Sequence, residues 1–467
     1  MLFNSLSYAF FLPVVALLYA SAPRGARWAL LLAASYAFYA TWNASYLLLL
    51  LASTALDYTV ARQLARTRSA PARRALLGLS IAGNLGMLFT FKYWGFAAMA
   101  LGQLGVRVPR LDVLLPVGIS FYTFQTLGYA IDVYRGARPE RHAGWFALYV
   151  AFFPQLVAGP IERAGRLLPQ LRRAPDLEWA RVCSGLELVL WGLFKKVVIA
   201  DRLALYVDAV YGNPGLQSPG SALLATYAFA IQIWCDFAGY TDIARGSARI
   251  FGVELMENFR APYFARGVQD FWRRWHVSLS TWLRDYLYIP LGGSRQGAAR
   301  TARNLMLTML LGGLWHGASW TFVVWGGLHG VFLVAARASA PLRERLWAAS
   351  GLPDALRAGL ARLVTFHLVC LAWVFFRAET LADATALLGS LAGPWRAPAV
   401  DASVFAHALL GLALLIPVEI ARERGSDVRA RLAALPLPLR WASWYALIFA
   451  VVLLGVDGGS QFIYFQF

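Results

Sequence analysis

The sequence predicts an all-α polytopic integral membrane protein, and three observations carry that prediction. The 467 residues are 59% hydrophobic and 15% charged, with mean hydropathy +0.53; a soluble domain carries roughly a quarter charged residues. The apolar residues gather into runs close to the roughly 20 residues that a membrane helix needs. The basic residues fall between those runs, the pattern that marks cytoplasmic loops.

The elements follow in chain order. The first apolar run ends at Ala20-Ser21-Ala22, a signal-peptide-like ending, but Arg24 and Arg27 come after it and no basic residue precedes it. A secretory signal has the opposite polarity, so an uncleaved first helix with its N-terminus outside is expected. Leu30–Leu51 turns outside at Thr41-Trp42-Asn43, and Arg62, Arg66, Arg68, Arg73 and Arg74 return the chain to the inside. Leu76–Leu101 leads out to a polar link at Gly102–Asp112. Further apolar runs lie at Ala222–Phe237, Leu363–Phe376, Ala406–Ile420 and Trp441–Val456. Basic patches at Arg163–Arg173, Arg295–Arg303, Arg337–Arg345, Arg357–Arg362 and Arg422–Arg431 mark later inner loops, and Phe467 is left at the outer surface. About ten to twelve spans or re-entrant helices result, some short or tilted. No repeat or linker interrupts them, so a single transmembrane domain over 1–467 is expected, with a motif-rich core at 113–337.

Composition also excludes function classes. A formal charge of +18 and a pI near 10.2 would suggest nucleic acid in a soluble protein. Here they express the positive-inside pattern and an arginine-rich codon bias, since only Lys92, Lys195 and Lys196 are lysines. Cys183, Cys235 and Cys370 have no CxxC spacing, so neither a disulfide framework nor a zinc site follows from them. HExxH, GxSxG, Walker and GxGxxG motifs are missing, which removes the usual support for metalloprotease, α/β-hydrolase and nucleotide-motor readings.

Three polar constellations remain. Gly312-Gly313-Leu314-Trp315-His316-Gly317-Ala318-Ser319-Trp320 sets an imidazole inside an apolar stretch from Leu305 to Ala336. An ionisable group at membrane depth is costly and is usually retained for pairing, transport or chemistry. The flanking glycines are expected to loosen or break the helix there. With Arg295–Arg303 and Arg337–Arg345 on one side, residues 304–336 must enter and return. Arms of about 13–16 residues reach roughly 20–24 Å, against a hydrocarbon core about 30 Å thick. A re-entrant hairpin with His316 at its tip is therefore predicted over one long tilted helix.

The second constellation is Gln269–Pro290, where Trp272, Trp275, His276, Leu279, Leu283 and Tyr286 share one face at helical spacing. Either this is an aromatic and basic anchor in the interfacial plane, or His276 works beside His316. The third is Trp234–Arg245, with carboxylates at Asp236 and Asp242. Such acids pair or line an aqueous cavity, and an Asp242–Arg245 ion pair at i,i+3 is the structural alternative. His142, His329, His367 and His407 are expected to be structural.

Together these blocks resemble the membrane-bound O-acyltransferase (MBOAT) family, in its bacterial polysaccharide-modifying branch. The likeness runs through Leu115–Gln125, Phe153–Ile161, Gly192–Asp201, Asp236–Asp242, Phe271–Gly293, Leu314–Trp320 and Phe462–Phe467, nearly the whole chain. It implies a ring of tilted helices around a tunnel joining the two membrane faces. His316 matches the family's catalytic histidine, and His276 matches a second motif position that holds Asn or His. Asp236, Tyr240, Asp242, Trp272, Trp275 and Trp315 are implied to contact substrate or line the tunnel. Lys195 and Lys196 are implied donor-phosphate contacts, although lipid headgroups explain them equally well.

The implied co-substrate is acetyl-CoA or another acyl thioester, with no tightly bound cofactor and no metal. The implied partners, besides the bilayer of the bacterial inner membrane, are a periplasmic SGNH-type acetyltransferase and an alginate-like polysaccharide, with no nucleic acid. Acyl transfer to a hydroxyl needs a base near neutral pH. An imidazole has an unperturbed pKa near 6.5, and burial keeps its neutral form. Positioned general-base help typically gives about 10²–10⁴-fold. On this reading His316 is the base, and His276 or nearby donors stabilise the oxyanion or orient the thioester. The rivals are a D-alanyl transferase of the same family, fed by an acyl carrier, and a polysaccharide or ion transporter, which would show paired repeats.

Overall fold

In this computed structural model, residues 1–109, 111, 113–398, 402–456 and 462–463 are described. Every regular element among them is helical. By length and composition seven helices among the described residues can cross a membrane: Ala44–Arg66, Ala70–Gln103, Pro219–Ile250, Trp320–Ala338, Asp354–Arg377, Val404–Glu423 and Leu437–Leu454. Leu6–Ser21 is apolar but shorter, so the described residues give fewer candidate spans than the ten to twelve expected. The chain turns at Thr41-Trp42-Asn43, between Arg27–Ala40 and Leu47–Arg66, as expected. Asp112, Phe467 and most of the terminal Phe462–Phe467 block lie outside the described residues.

The single domain expected from sequence is packed as two compact units. One comprises Met1–Val189 with Tyr240–Glu257, the other Leu190–Gly239 with Asn258–Phe467. No polar linker announces the division, because two of its three crossing points fall inside helices, Trp179–Leu193 and Pro219–Ile250.

A buried polar knot ties three helices of the first unit. Ser80 Oγ and Asn84 Nδ2 donate to the two oxygens of Asp57 at 2.5 and 2.7 Å. Ser53 Oγ and Thr126 Oγ1 donate to Asn84 Oδ1 at 2.8 and 3.3 Å. Asp57, Ser53, Ser80, Asn84 and Thr126 are all fully buried. Polar side chains that find one another between helices can hold a bundle that lipid gives no hydrophobic drive to assemble.

The second unit contains a helical hairpin where one was predicted, but its second arm, Trp320–Ala338, is long and apolar enough to cross a membrane, unlike the expected re-entrant arm. Ala298–His316 and Trp320–Ala338 pack along their length, joined by Gly317-Ala318-Ser319, and Ser319 Oγ accepts the Thr321 N–H to cap the second helix. Each arm has 19 residues, or about 28 Å at 1.5 Å per residue, longer than the 13–16 expected because the first helix already begins at Ala298. Gly312 and Gly313 do not break that helix, contrary to expectation. Gly313 and Gly326 let the arms approach: a Cβ on Gly313 would strike the Phe322 carbonyl, and one on Gly326 the Met309 carbonyl. The helix ends only at Gly317, in extended backbone.

Candidate active site

His316 is the last residue of its helix, where the unpaired carbonyls carry partial negative charge. That end of a helix favours a cation by about 0.3–1 kcal/mol, and more when partly buried. An imidazole placed there gains support for the charge it acquires on taking a proton. Its ring is 3% exposed and lies 4.9 Å from the Trp325 ring and 5.3 Å from that of Phe376.

His276 arrives by a different route, and here the continuous helix expected over Trp272–Tyr286 is corrected. Val268–Arg274 stops, Trp275 is extended, His276 is left-handed at φ 42°, and a new helix starts at Val277. Asn258 explains the break. Its backbone carbonyl accepts the Val277 N–H and its side-chain oxygen accepts the Ser278 N–H, each at 3.1 Å, so the second helix is capped by a residue remote in sequence. A left-handed non-glycine residue costs about 1–3 kcal/mol, and such strain clusters at functional positions. The result is not an interfacial anchor, since Trp275 and His276 are fully buried. Burial alone pushes the His276 imidazole down to about 3, so the ring is neutral at ordinary pH.

The two imidazoles lie 6.3 Å apart between centroids, and Trp315 lies 5.7 Å from His276. His329, expected to be structural, belongs to the same cluster. Its ring lies 4.9 Å from Trp325, and Trp272 Nε1 donates to its Nδ1 at 3.3 Å. A neutral ring that accepts at Nδ1 carries its proton on Nε2. That Nε2, Trp325 Nε1 and Trp275 Nε1 are buried and have no hydrogen-bond partner among the described residues. Each such donor costs about 1–3 kcal/mol, which makes the three N–H groups candidates for meeting an acceptor. The i,i+4 spacing of Trp325 and His329 was the sequence signal for this; Asn258 left none.

The other expected residues divide. Trp272, Trp275 and Trp315 join the histidine cluster, and Asp236 supports it from behind. Its Oδ1 meets the Lys196 ammonium at 2.5 Å and its Oδ2 accepts the Ile463 N–H at 2.9 Å. The adjacent Phe237 ring packs on His276 at 4.7 Å and on Phe462 at 5.4 Å. Lys196 also meets Asp201 at 2.8 Å, and all three charged groups are buried. This ammonium holds the C-terminal segment against the site and is not offered to a donor phosphate, a correction to the expected role; Lys195 is buried as well. Tyr240 and Asp242 belong to the first unit. There Tyr240 stacks on Phe3 at 4.5 Å, and Asp242 forms the alternative ion pair with Arg245 at 3.0 Å. No cluster of three or more His, Cys, Asp or Glu able to hold a metal occurs among the described residues.

The described fold is that of a multi-pass helical membrane protein in which His276, His316 and His329 come into one buried aromatic cluster. Residues 141–351 match the membrane-bound O-acyltransferase family. The chain is 42% identical over 416 residues to a probable alginate O-acetylase of Pseudomonas putida, covering 85% of this chain and 81% of that protein. It is 37% identical over 391 residues to a peptidoglycan O-acetyltransferase of Helicobacter pylori, covering 78% and 73%. To a teichoic acid D-alanyltransferase of Bacillus subtilis it is 28% identical over 312 residues, covering 64% and 76%. The chain belongs to the membrane-bound O-acyltransferase family and is an O-acyltransferase.

Proposed function

We propose that this enzyme takes an acetyl group from a cytoplasmic thioester, acetyl-CoA, and passes it through the bacterial inner membrane for O-acetylation of an exported or cell-wall polysaccharide of the alginate type. The N-terminus lies outside, and the recipient beyond the membrane is an SGNH-type acetyltransferase partner that serves the polymer. One observation supports this reading most: His316 and His276 are buried 6.3 Å apart in a cluster that holds donors awaiting an acceptor. The relatives named for acetyl transfer are 42% and 37% identical, against 28% for the one named for D-alanyl transfer, which favours acetyl over D-alanyl as the cargo.

In the proposed step an acceptor hydroxyl attacks the thioester carbonyl carbon while its proton passes to His316. The charge that develops on the carbonyl oxygen is met by N–H groups of the cluster, with His329 Nε2 and Trp325 Nε1 the leading donors. The C–S bond then breaks, and the departing thiolate takes the proton back from the imidazolium. Groups aimed at developing charge in a site that excludes water are worth far more than in bulk solvent. Polymer acetyl content in cells carrying His316→Ala tests the reading, with membrane insertion checked in parallel. Loss of acetylation by well-inserted protein is expected; ordinary acetylation would remove the enzymatic role of His316.

A further inference from the structure

The first unit contains a cavity of 1190 Å³ whose wall carries Arg62, Arg66, Arg135, Arg138, Arg141 and Arg172 against only two carboxylates, Asp132 and Glu140. Three separate stretches supply these cations: the end of Leu47–Arg66, the turn after Ile119–Tyr134, and Ala164–Arg173. Glu140 is already engaged. It pairs with Arg172, and its Oε1 accepts the His142 N–H at 2.9 Å. Arg62, Arg66, Arg138 and Arg141 have no carboxylate partner among the described residues. Arg66, Arg135, Arg138, Arg141 and Arg172 are exposed and Arg62 half-buried, so solvent screens their mutual repulsion in part, and an anion entering the hollow would relieve the remainder.

A band of arginines above the lipid headgroups would be expected from the positive-inside pattern alone, but such a band needs no concavity. Here the floor is apolar, with Leu168, Pro139 and Pro169, and the Tyr129 ring is held in the wall because its phenolic oxygen accepts the Glu140 N–H at 2.9 Å. The guanidinium fork matches phosphate oxygens two at a time. Ligand pockets of about 300–1,000 Å³ hold drug-sized molecules, so this one has room for a nucleotide. Its chemistry is that of a ligand with one or more phosphates on a flat or apolar body.

We propose that this arginine-walled cavity binds a phosphate-bearing ligand: the nucleotide end of the thioester donor or the headgroup of an anionic phospholipid. Only the first source rests on the proposed thioester chemistry.

The test uses the full-length protein in non-ionic detergent and reads binding without turnover, so its outcome is separate from that of His316→Ala. Radiolabelled adenosine 3′,5′-bisphosphate is titrated in one arm and short-chain phosphatidylglycerol in the other. The protein is compared with Arg62→Gln/Arg66→Gln/Arg138→Gln/Arg141→Gln and with Arg431→Gln, outside the cavity. At least a tenfold loss of affinity for one probe, confined to the quadruple variant and shrinking with added salt, is expected. Loss of the bisphosphate assigns the cavity to the donor, and loss of the lipid alone assigns it to the membrane. Equal affinities in all three proteins, or no measurable binding of either probe to the parent, would overturn the proposal. Unchanged melting of the quadruple variant excludes unfolding as the cause; should its melting fall, Arg138→Gln/Arg141→Gln in the turn is measured in its place.

Discussion

The Asp57 knot in the first unit and the His316 cluster in the second both bury polar groups in a largely apolar chain, and they differ in how those groups are satisfied. Both oxygens of Asp57 receive a donor, and Asn84 is bonded through both ends of its amide. In the histidine cluster, Trp275, Trp325 and His329 each keep a buried N–H without a partner among the described residues. A closed network rigidifies a core, whereas a partly open one is costly unless something arrives to complete it. We read the first arrangement as scaffold and the second as the proposed site.

That contrast can be broken or sharpened by substitution. The largest change is expected from Lys196→Met, which leaves Asp201 and Asp236 buried without their cation and should cost about 3–5 kcal/mol. Melting in detergent reads it, and a loss below 1 kcal/mol would show that the ion triad does not hold the C-terminal segment. Next comes Trp325→Phe, which keeps an aromatic side chain but removes the indole N–H together with part of the buried ring volume. If that donor serves the developing oxyanion, kcat of the folded protein should fall by about 10²–10³-fold beside a lowered melting temperature from the lost volume; parent-like kcat would return Trp325 to packing.

Asn84→Leu should do the reverse. It strips a donor from Asp57 and should lower stability by about 1–3 kcal/mol, while protein that remains folded keeps near-parent kcat. A selective loss of kcat would erase the distinction between knot and site.

A further effect concerns pH. The His276 imidazole titrates near 3 in the folded protein and near 6.5 unfolded. The unfolded chain therefore binds the extra proton first, and stability declines as pH falls through that window. His276→Asn, a residue type that tolerates left-handed backbone, should flatten the decline between pH 6.5 and 3. An unchanged slope in detergent melts would place the acid sensitivity elsewhere.

Composition and run length made the helical membrane class legible, because lipid leaves few backbone alternatives. The hairpin was legible too, since basic loops at both ends of 304–336 force a return. The break at Trp275-His276 was not: the helical periodicity continues through it, and Asn258, which captures the Val277 and Ser278 N–H groups, lies outside any local window. His329 was passed over because a lone imidazole in an apolar run reads as packing. Trp325, one turn earlier on the same helix, was the available signal, and the tertiary approach of Trp272 completes its company. The division into two units left no trace because its crossings run mostly through helices.

The central claim is that the His316 imidazole accepts the acceptor's proton. Reconstituted protein carrying His316→Gln, assayed for acetyl transfer beside the parent, tests it most directly. The account predicts a loss of about 10²–10⁴-fold in kcat with thioester binding and melting unchanged. A His316→Gln enzyme turning over at the parent rate would contradict it.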